Sequence, residues 1–437
     1  MNRENNAART ALGIKRIQER LQLLLSPGPY EVPGVGLAVY RNGHKLFSYC
    51  GGQALLEAEG ARPFTSRTLL RIASVSKQFT VYTLMQLSEQ GKLDWDADVS
   101  SYLGFALRHP AFPEIRITAR MLAAHTSGLR DGKVYSTSPE TSLREFFVPQ
   151  GSFYEQGAHF SPRTEPPGVF FCYCNLNYGL LGTIIEKITG VRFDLYQKQH
   201  LLQQLEIKGG YLPRNLGAEE QKNLGAVYRK LDAQGNCCPQ GQWRASMLAE
   251  QLSADVVRLQ NPYAEEVNGN YSLKNYLPGT NATSMAPQGG LWLCLEDMEH
   301  TLRMLLNQGC YNGKRIISER SLAEMQAPQW NYLPAVRNGD TEDGVLLTYG
   351  LGQYQVRSNS SASFARGQKI DLVGHTGQAF GLLSGIFMRP GTQDGFCYLM
   401  NGEALSENAD AAQGRFSGNF IWEELLLEPV CELLAEF

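Results

Sequence analysis

The sequence predicts an α+β fold in which one antiparallel sheet is assembled from both ends of the chain. Helices flank that sheet, and a mainly helical lobe is inserted within it. Strand-like apolar runs near residues 34–50 and again from about 346 to 400 are separated and followed by amphipathic helical patterns. Hairpin signals, Asn42-Gly43 and the stretch RPGTQDG at 389–395, join neighbouring strands at each end. Between them, residues 131–170 and 207–289 are rich in polar and turn-forming residues, as an inserted lobe requires.

Taken in order, the first residues read as an amphipathic helix (Ile14, Ile17, Leu21, Leu24, Leu25) stopped before Pro27. GVGLAVYRNGHKLFSYCGG follows as two strands. A helix is expected from about Ser74 to Gln90, with Phe79, Tyr82, Leu84, Met85 and Leu87 on its apolar side and Gly91 as its stop. Residues 116–125 are a further helical segment, and 131–170 a loop-rich stretch. Helices are expected at about 177–189, ending at Gly190, and at 192–206; then come polar turns with helical patches over 207–289. An amphipathic helix at 294–307 precedes strands at 346–356, 370–374, 382–388 and 396–400 and a last helix from about 413 to 435. The expected organisation is one domain over 1–437, with an α/β lobe from about 30–75 and 290–437. The mainly helical lobe spans about 76–289, and the N-terminal helix 1–29.

With 437 residues, 43% of them hydrophobic and 19% charged, the chain is long enough for a large core. A net charge of −3 and the lack of a basic run argue against nucleic-acid binding. The nine cysteines are scattered and form no CxxC pair, and the seven histidines form no HExxH, so neither a disulfide framework nor a bound metal is expected. No stretch approaches the roughly 20 apolar residues of a membrane span. The N-terminus lacks the apolar core of a signal peptide, so a cytoplasmic location is expected. Oligomeric state is not legible.

Chemistry enters at RIASVSKQFT, residues 71–80. Ser74 and Lys77 are three apart and share one face of a helix. A serine hydroxyl is a weak nucleophile that needs a base beside it, and a desolvated lysine can be that base. The bland alternative is a capping serine with a solvated lysine. Tyr173-Cys174-Asn175 opens the helix at 177–189, where a hydroxyl and an amide can face a cleft; the alternative is a buried tyrosine beside an Asn cap. His375-Thr376-Gly377 lies on an expected strand, with a glycine that permits close approach of a ligand backbone and an N–H positioned for an oxyanion. A rival for the third element is Lys208-Gly209-Gly210. His125 reads as a helix-end residue, Arg130 and Asp131 as solvated charges.

Ser-x-x-Lys, Tyr-x-Asn and His-Thr-Gly in this order resemble the serine β-lactamase and penicillin-binding protein superfamily. The likeness is to its branch of class C β-lactamases, DD-carboxypeptidases, D-aminopeptidases and esterases. The segments PGVGLAVYRNGHKLFSYCGG, LAAHTSGL, YCNLNYGLLGTIIEKITG, GGLWLCLEDMEHTLRML and YGLGQ also resemble that branch, so the likeness spans roughly 30–402.

The resemblance implies a β-lactamase/transpeptidase-like fold and an acyl-enzyme mechanism without a cofactor. Ser74 is then the nucleophile, Lys77 its proton acceptor and Tyr173 a second proton shuttle. Asn175 is a substrate ligand, and the N–H groups of Ser74 and Gln378 form the oxyanion hole beside Thr376 and Gly377. His375 stands where many relatives have lysine, so a substrate carboxylate would be held less firmly and β-lactam hydrolysis is the less expected outcome. SVSKQFT, YCN and SGLRD are similar to the D-aminopeptidases. The resemblance implies a small-molecule or peptide substrate bearing a D-amino acid or an ester. A D-alanyl-D-alanine carboxypeptidase is expected first, an esterase or D-aminopeptidase next, and a non-catalytic relative last.

Overall fold

A computed structural model describes residues 2–248, 255–259, 264–404 and 414–435. Strands β1 (Gly34–Arg41), β2 (His44–Leu55), β3 (Arg62–Pro63), β4 (Trp330–Asn331) and β5 (Thr348–Tyr349) are joined in one sheet by β6 (Tyr354–Val356), β7 (Leu372–Ala379), β8 (Leu382–Met388) and β9 (Gly395–Met400). Among the described residues the order is β4-β5-β6-β7-β8-β9-β1-β2-β3. All neighbours are antiparallel, and β9 pairs with β1 from Val35↔Met400 to Tyr40↔Gly395, which closes the two chain ends into one sheet. Asn42 and Gly43, with φ of 50° and 76°, form the tight β1–β2 turn that the Asn-Gly pair favours.

The helices that position the site are α1 (Asn2–Leu25), α2 (Ser76–Glu89), α3 (Leu176–Thr189), α4 (Leu295–Leu306) and α5 (Ile421–Ala435). Ile17, Leu21 and Leu24 of α1 join Leu425, Leu426 and Leu433 of α5 in a cluster with Leu37, Phe387 and Tyr398 on one sheet face. Residues of α2, α3 and α4 pack with Ala38, Ile386 and Leu399 on the other. Because both faces are covered, β8 is buried at every position and its sequence LLSGIFM shows no polar alternation.

Several boundaries differ from the expectation. Helix α2 starts at Ser76, after a 3-10 turn over Ala73–Val75, and is buried from Ser76 to Leu87 rather than on one side. The expected strand 346–356 splits into β5 and β6 around Gly350-Leu351-Gly352, where Gly352 takes φ 69°. The last helix begins at Ile421; position 413 lies outside the described residues. The stretch 207–289 holds two β-ribbons, Ala226–Leu231 with Gln242–Leu248 and Val256–Leu259 with Gly269–Ser272. The first is extended by Gly402–Glu403, a parallel partner from beyond β9 that no local pattern reveals.

Candidate active site

The turn that carries Ser74 is held from three sides. Ile72 donates its N–H to Leu291 O at 2.8 Å, and its own carbonyl accepts from Ser384 Oγ at 2.8 Å. Ser76 Oγ donates to Ala73 O at 2.6 Å and accepts from Leu291 N at 3.2 Å. These bonds keep Ala73 in the left-handed region at φ 47°, a conformation costing a non-glycine residue about 1 kcal/mol, and place Ser74 half-exposed above the start of α2.

Lys77, one turn on, is fully buried. Its Nζ lies 3.1 Å from Ser74 Oγ, 2.9 Å from Asn175 Oδ1 and 3.1 Å from Gln288 O, and 4.6 Å from the centre of the Tyr173 ring. Burial pushes its pKa down to about 7, against a partial upward pull from Asp131. Asn175 and Gln288 present oxygens that can only accept. A neutral Lys77 amine therefore gives them its two N–H groups and turns its lone pair to Ser74.

Asp131 fixes that orientation. Its carboxylate accepts from Asn175 Nδ2 and from the Leu176 N–H, both at 2.8 Å, so Oδ1 of Asn175 is the atom left for Lys77. The second of these bonds also satisfies the first N–H of α3. Tyr173 stacks on His125 with ring centres 4.3 Å apart. Burial holds the Tyr173 hydroxyl protonated, opposed by its hydrogen bond with Ser74. His125, at φ 57°, accepts from Cys174 N at 3.0 Å through Nδ1, and burial keeps its ring neutral. It props the Tyr173 loop, a role that reading it as a helix-end residue missed. Cys174 is buried and Cys172 half-buried.

Strand β7 runs beside Ser74. Its pairing with β6 ends at Gly374, which among the described residues leaves the edge from His375 to Ala379 open on that side. A Cβ on Gly377 would lie 2.3 Å from Ile72 O and 3.2 Å from Ser74 N, so only glycine permits this approach. Thr376 Oγ1 accepts from Tyr354 OH at 3.2 Å, and the exposed Gln378 donates Nε2 to buried Glu403 at 2.9 Å. His375 departs from the expectation that it meets a substrate carboxylate. It is buried, and both ring nitrogens are engaged, Nε2 with Tyr349 OH at 3.0 Å and Nδ1 with Thr376 O at 2.5 Å. Burial and the nearby Lys77 push its pKa down to about 3, so it presents no cation. The rival Lys208-Gly209 pair donates its N–H groups to Asp297 of α4, at 2.8 and 3.1 Å, and is tied to that helix rather than to Ser74.

Asp131, His125 and the Gln288 carbonyl are the site members that sequence reasoning passed over; the first two sit in SGLRD and HTSG, segments that already stood out. Among the described residues no group of three or more His, Cys, Asp or Glu converges as metal ligands do, and no helix is long and apolar enough to cross a membrane.

Known proteins resemble the chain in sequence and in fold. A family model described as Beta-lactamase matches residues 15–419. A beta-lactamase of Providencia stuartii is 30% identical over 208 residues, 46% of this chain and 47% of that protein. A D-aminopeptidase of Brucella canis is 31% identical over 168 residues, 38% of this chain and 30% of that protein. The chain thus spans less than half the length of these curated relatives. The D-amino acid amidase from Ochrobactrum anthropi SV3 complexed with D-phenylalanine superposes with a TM-score of 0.60 at 19% identity, covering 97% of this chain and 98% of that one. The octameric penicillin-binding protein homologue from Pyrococcus abyssi gives 0.57 at 21% identity, covering 92% and 74%. At such identities the two structures speak for the fold. With the family model spanning nearly the whole chain, the protein belongs to the beta-lactamase family of serine hydrolases.

Proposed function

We propose that the protein is a serine hydrolase that works through an acyl-enzyme on D-amino-acid peptides, in the manner of a D-alanyl-D-alanine carboxypeptidase. The observation that carries this reading is the buried Lys77 amine 3.1 Å from the Ser74 hydroxyl, with Asn175 Oδ1 and the Gln288 carbonyl accepting from it. Ser74 Oγ attacks the scissile carbonyl as its proton passes to Lys77, and the carbonyl oxygen takes up the negative charge. The N–H groups of Ser74 and Gln378 receive that oxyanion at the open edge of β7. Tyr173 relays the proton to the leaving amine as the C–N bond breaks, leaving the acyl group as an ester on Ser74. Water then attacks that ester along the same route, returning the proton to Ser74 and freeing the acid. Asn175 and the β7 edge at Thr376 and Gly377 hold the substrate amide.

D-aminopeptidases and a D-amino acid amidase among the relatives support the stereochemical part of the reading. The neutral, fully engaged His375 favours one alternative, hydrolysis of small esters, because it offers no charge to a C-terminal carboxylate. The test is a panel of D- and L-alanyl peptides, amides and p-nitrophenyl esters assayed with wild type and Ser74→Ala. Ser74-dependent cleavage of the D-peptides and not the L-peptides is the expected result. Ser74-dependent turnover of esters alone would replace the reading by the esterase.

A further inference from the structure

Beside the nucleophile lies a cavity of about 300 Å³ that the reaction scheme above does not use. Its wall begins three residues before Ser74, at Arg71, and includes Gln288, Gly290 and Phe380, the residue after β7 ends. Two consecutive carbonyls join it to the catalytic group: Gln288 O receives Lys77 Nζ at 3.1 Å, and Gly289 O receives Arg71 Nε at 2.6 Å. The cavity therefore shares the wall at Gln288 with the pocket that holds Lys77, and it lies toward the Phe380 end of β7, away from His375.

Its charge is one-sided. Arg71 and Arg258 both line it, and none of the described lining residues is acidic, in a chain whose net charge is −3. The guanidinium of Arg71 has the Gly289 carbonyl on one side and the Phe380 ring 5.4 Å away; among the described residues no carboxylate pairs with it. Arg71 is half-buried, and taking a guanidinium partly out of water without an anion is costly; that burial lowers its pKa, opposed by Tyr135. Such a group persists where a ligand supplies the missing charge, and a guanidinium fork matches a carboxylate in two hydrogen bonds.

We propose that this cavity binds a carboxylate carried by the substrate, held by Arg71 and drawn in by Arg258. The proposal deepens the acyl-enzyme reading, on which it rests, by naming the charge the substrate carries. It also explains how His375 can remain neutral: recognition of a negative group has moved along β7 to the other side of Ser74.

The test uses Ser74→Ala protein, which binds without turning over, and calorimetry with two matched pairs of ligands. N-succinyl- against N-acetyl-D-alanine p-nitroanilide puts the charge on the acyl side; N-acetyl-D-alanyl-D-alanine against its C-terminal amide puts it on the leaving side. The charged member of one pair is expected to bind about tenfold more tightly, in keeping with a charge-assisted hydrogen bond. That preference should weaken with added salt and vanish when Arg71→Met is introduced. Should Arg71→Met fail to fold, Arg258→Gln, at an exposed position, must reduce the preference. Equal binding within both pairs, or a preference indifferent to both arginines, overturns the proposal. Acylation plays no part in this measurement, so absence of an acyl-enzyme in the wild type would sink the reaction scheme separately.

Discussion

Lys77 Nζ lies 2.9 Å from Asn175 Oδ1, and that oxygen faces the lysine because Asp131 holds the other end of the same amide at 2.8 Å. A carboxylate can only accept, so the chain of groups Asp131, Asn175, Lys77 and Ser74 has one consistent set of donors and acceptors. Its last link is the 3.1 Å contact of Lys77 Nζ with Ser74 Oγ, across which a neutral amine can take up the hydroxyl proton.

That chain makes a pH prediction. A protonated lysine cannot take a proton, and burial sets the pKa of Lys77 to about 7. The value of kcat/KM for the free enzyme should rise about tenfold per pH unit below that point and level off above it. No second limb from His375 is expected near 6.5, because that ring is already neutral there. A profile rising with the ordinary lysine pKa near 10.5 would contradict the desolvated base.

Asp131→Asn tests the orientation of the amide. The substitution keeps an oxygen for the Leu176 N–H but removes the acceptor-only character that orients Asn175. Acylation should slow by about ten- to a hundredfold, the range for losing a hydrogen bond to a charged group. Since the Asp131 charge raises the pKa of Lys77, its loss should also move the acid limb to lower pH, a shift that a merely structural aspartate would not produce.

Gly377→Ala addresses the approach of β7 to the turn that carries Ser74. The added methyl would sit 2.3 Å from Ile72 O, so the strand or the turn must give way. We expect a loss of about 1 to 3 kcal/mol in urea unfolding, typical of overpacking, together with loss of acylation. An alanine variant of unchanged stability and rate would mean that the two segments are further apart than described.

Glu403, buried against Gln378, gives a prediction about stability. Burial raises its carboxyl from 4.5 to about 7, so the folded chain holds a proton there that the unfolded chain has released. Its contribution to stability therefore falls as pH rises from about 4.5 to 7. Relative to wild type, Glu403→Gln should gain stability across that interval and show no further gain above it, measured by denaturant unfolding at several pH values. A pH-independent difference would place the carboxyl at its ordinary value.

How much of this was legible in the sequence follows from the range of the interactions. The antiparallel sheet drawn from both chain ends, the strand LLSGIFM and helices α3 and α4 follow from local periodicity and turns. Ser74 and Lys77 share a helical face, so their juxtaposition needs only spacing. The meeting of Lys77 with Asn175 across 98 positions, by contrast, became readable only when three motifs were taken together. Asp131 was passed over as a solvated charge because nothing local shows that it faces the first turn of a helix 45 residues later. His375 was expected to meet substrate; its engagement with Tyr349 depends on packing between β5 and β7, which no motif encodes. The β-ribbon at 226–248 was missed because its third strand, Gly402–Glu403, arrives from the far end of the chain.

The central claim is that Ser74 is the acylated residue, and intact-protein mass spectrometry tests it most directly. Wild type, Ser74→Ala and Lys77→Gln would each be incubated with a fluorescent penicillin and, separately, with a fluorophosphonate. The account predicts a single adduct on wild type, mapped to the peptide carrying Ser74 and absent from Ser74→Ala. With Lys77→Gln it should form about a thousandfold more slowly, as when a nucleophile loses its base. An adduct that persists in Ser74→Ala, or a wild type that hydrolyses substrate yet is labelled by neither reagent, would contradict it.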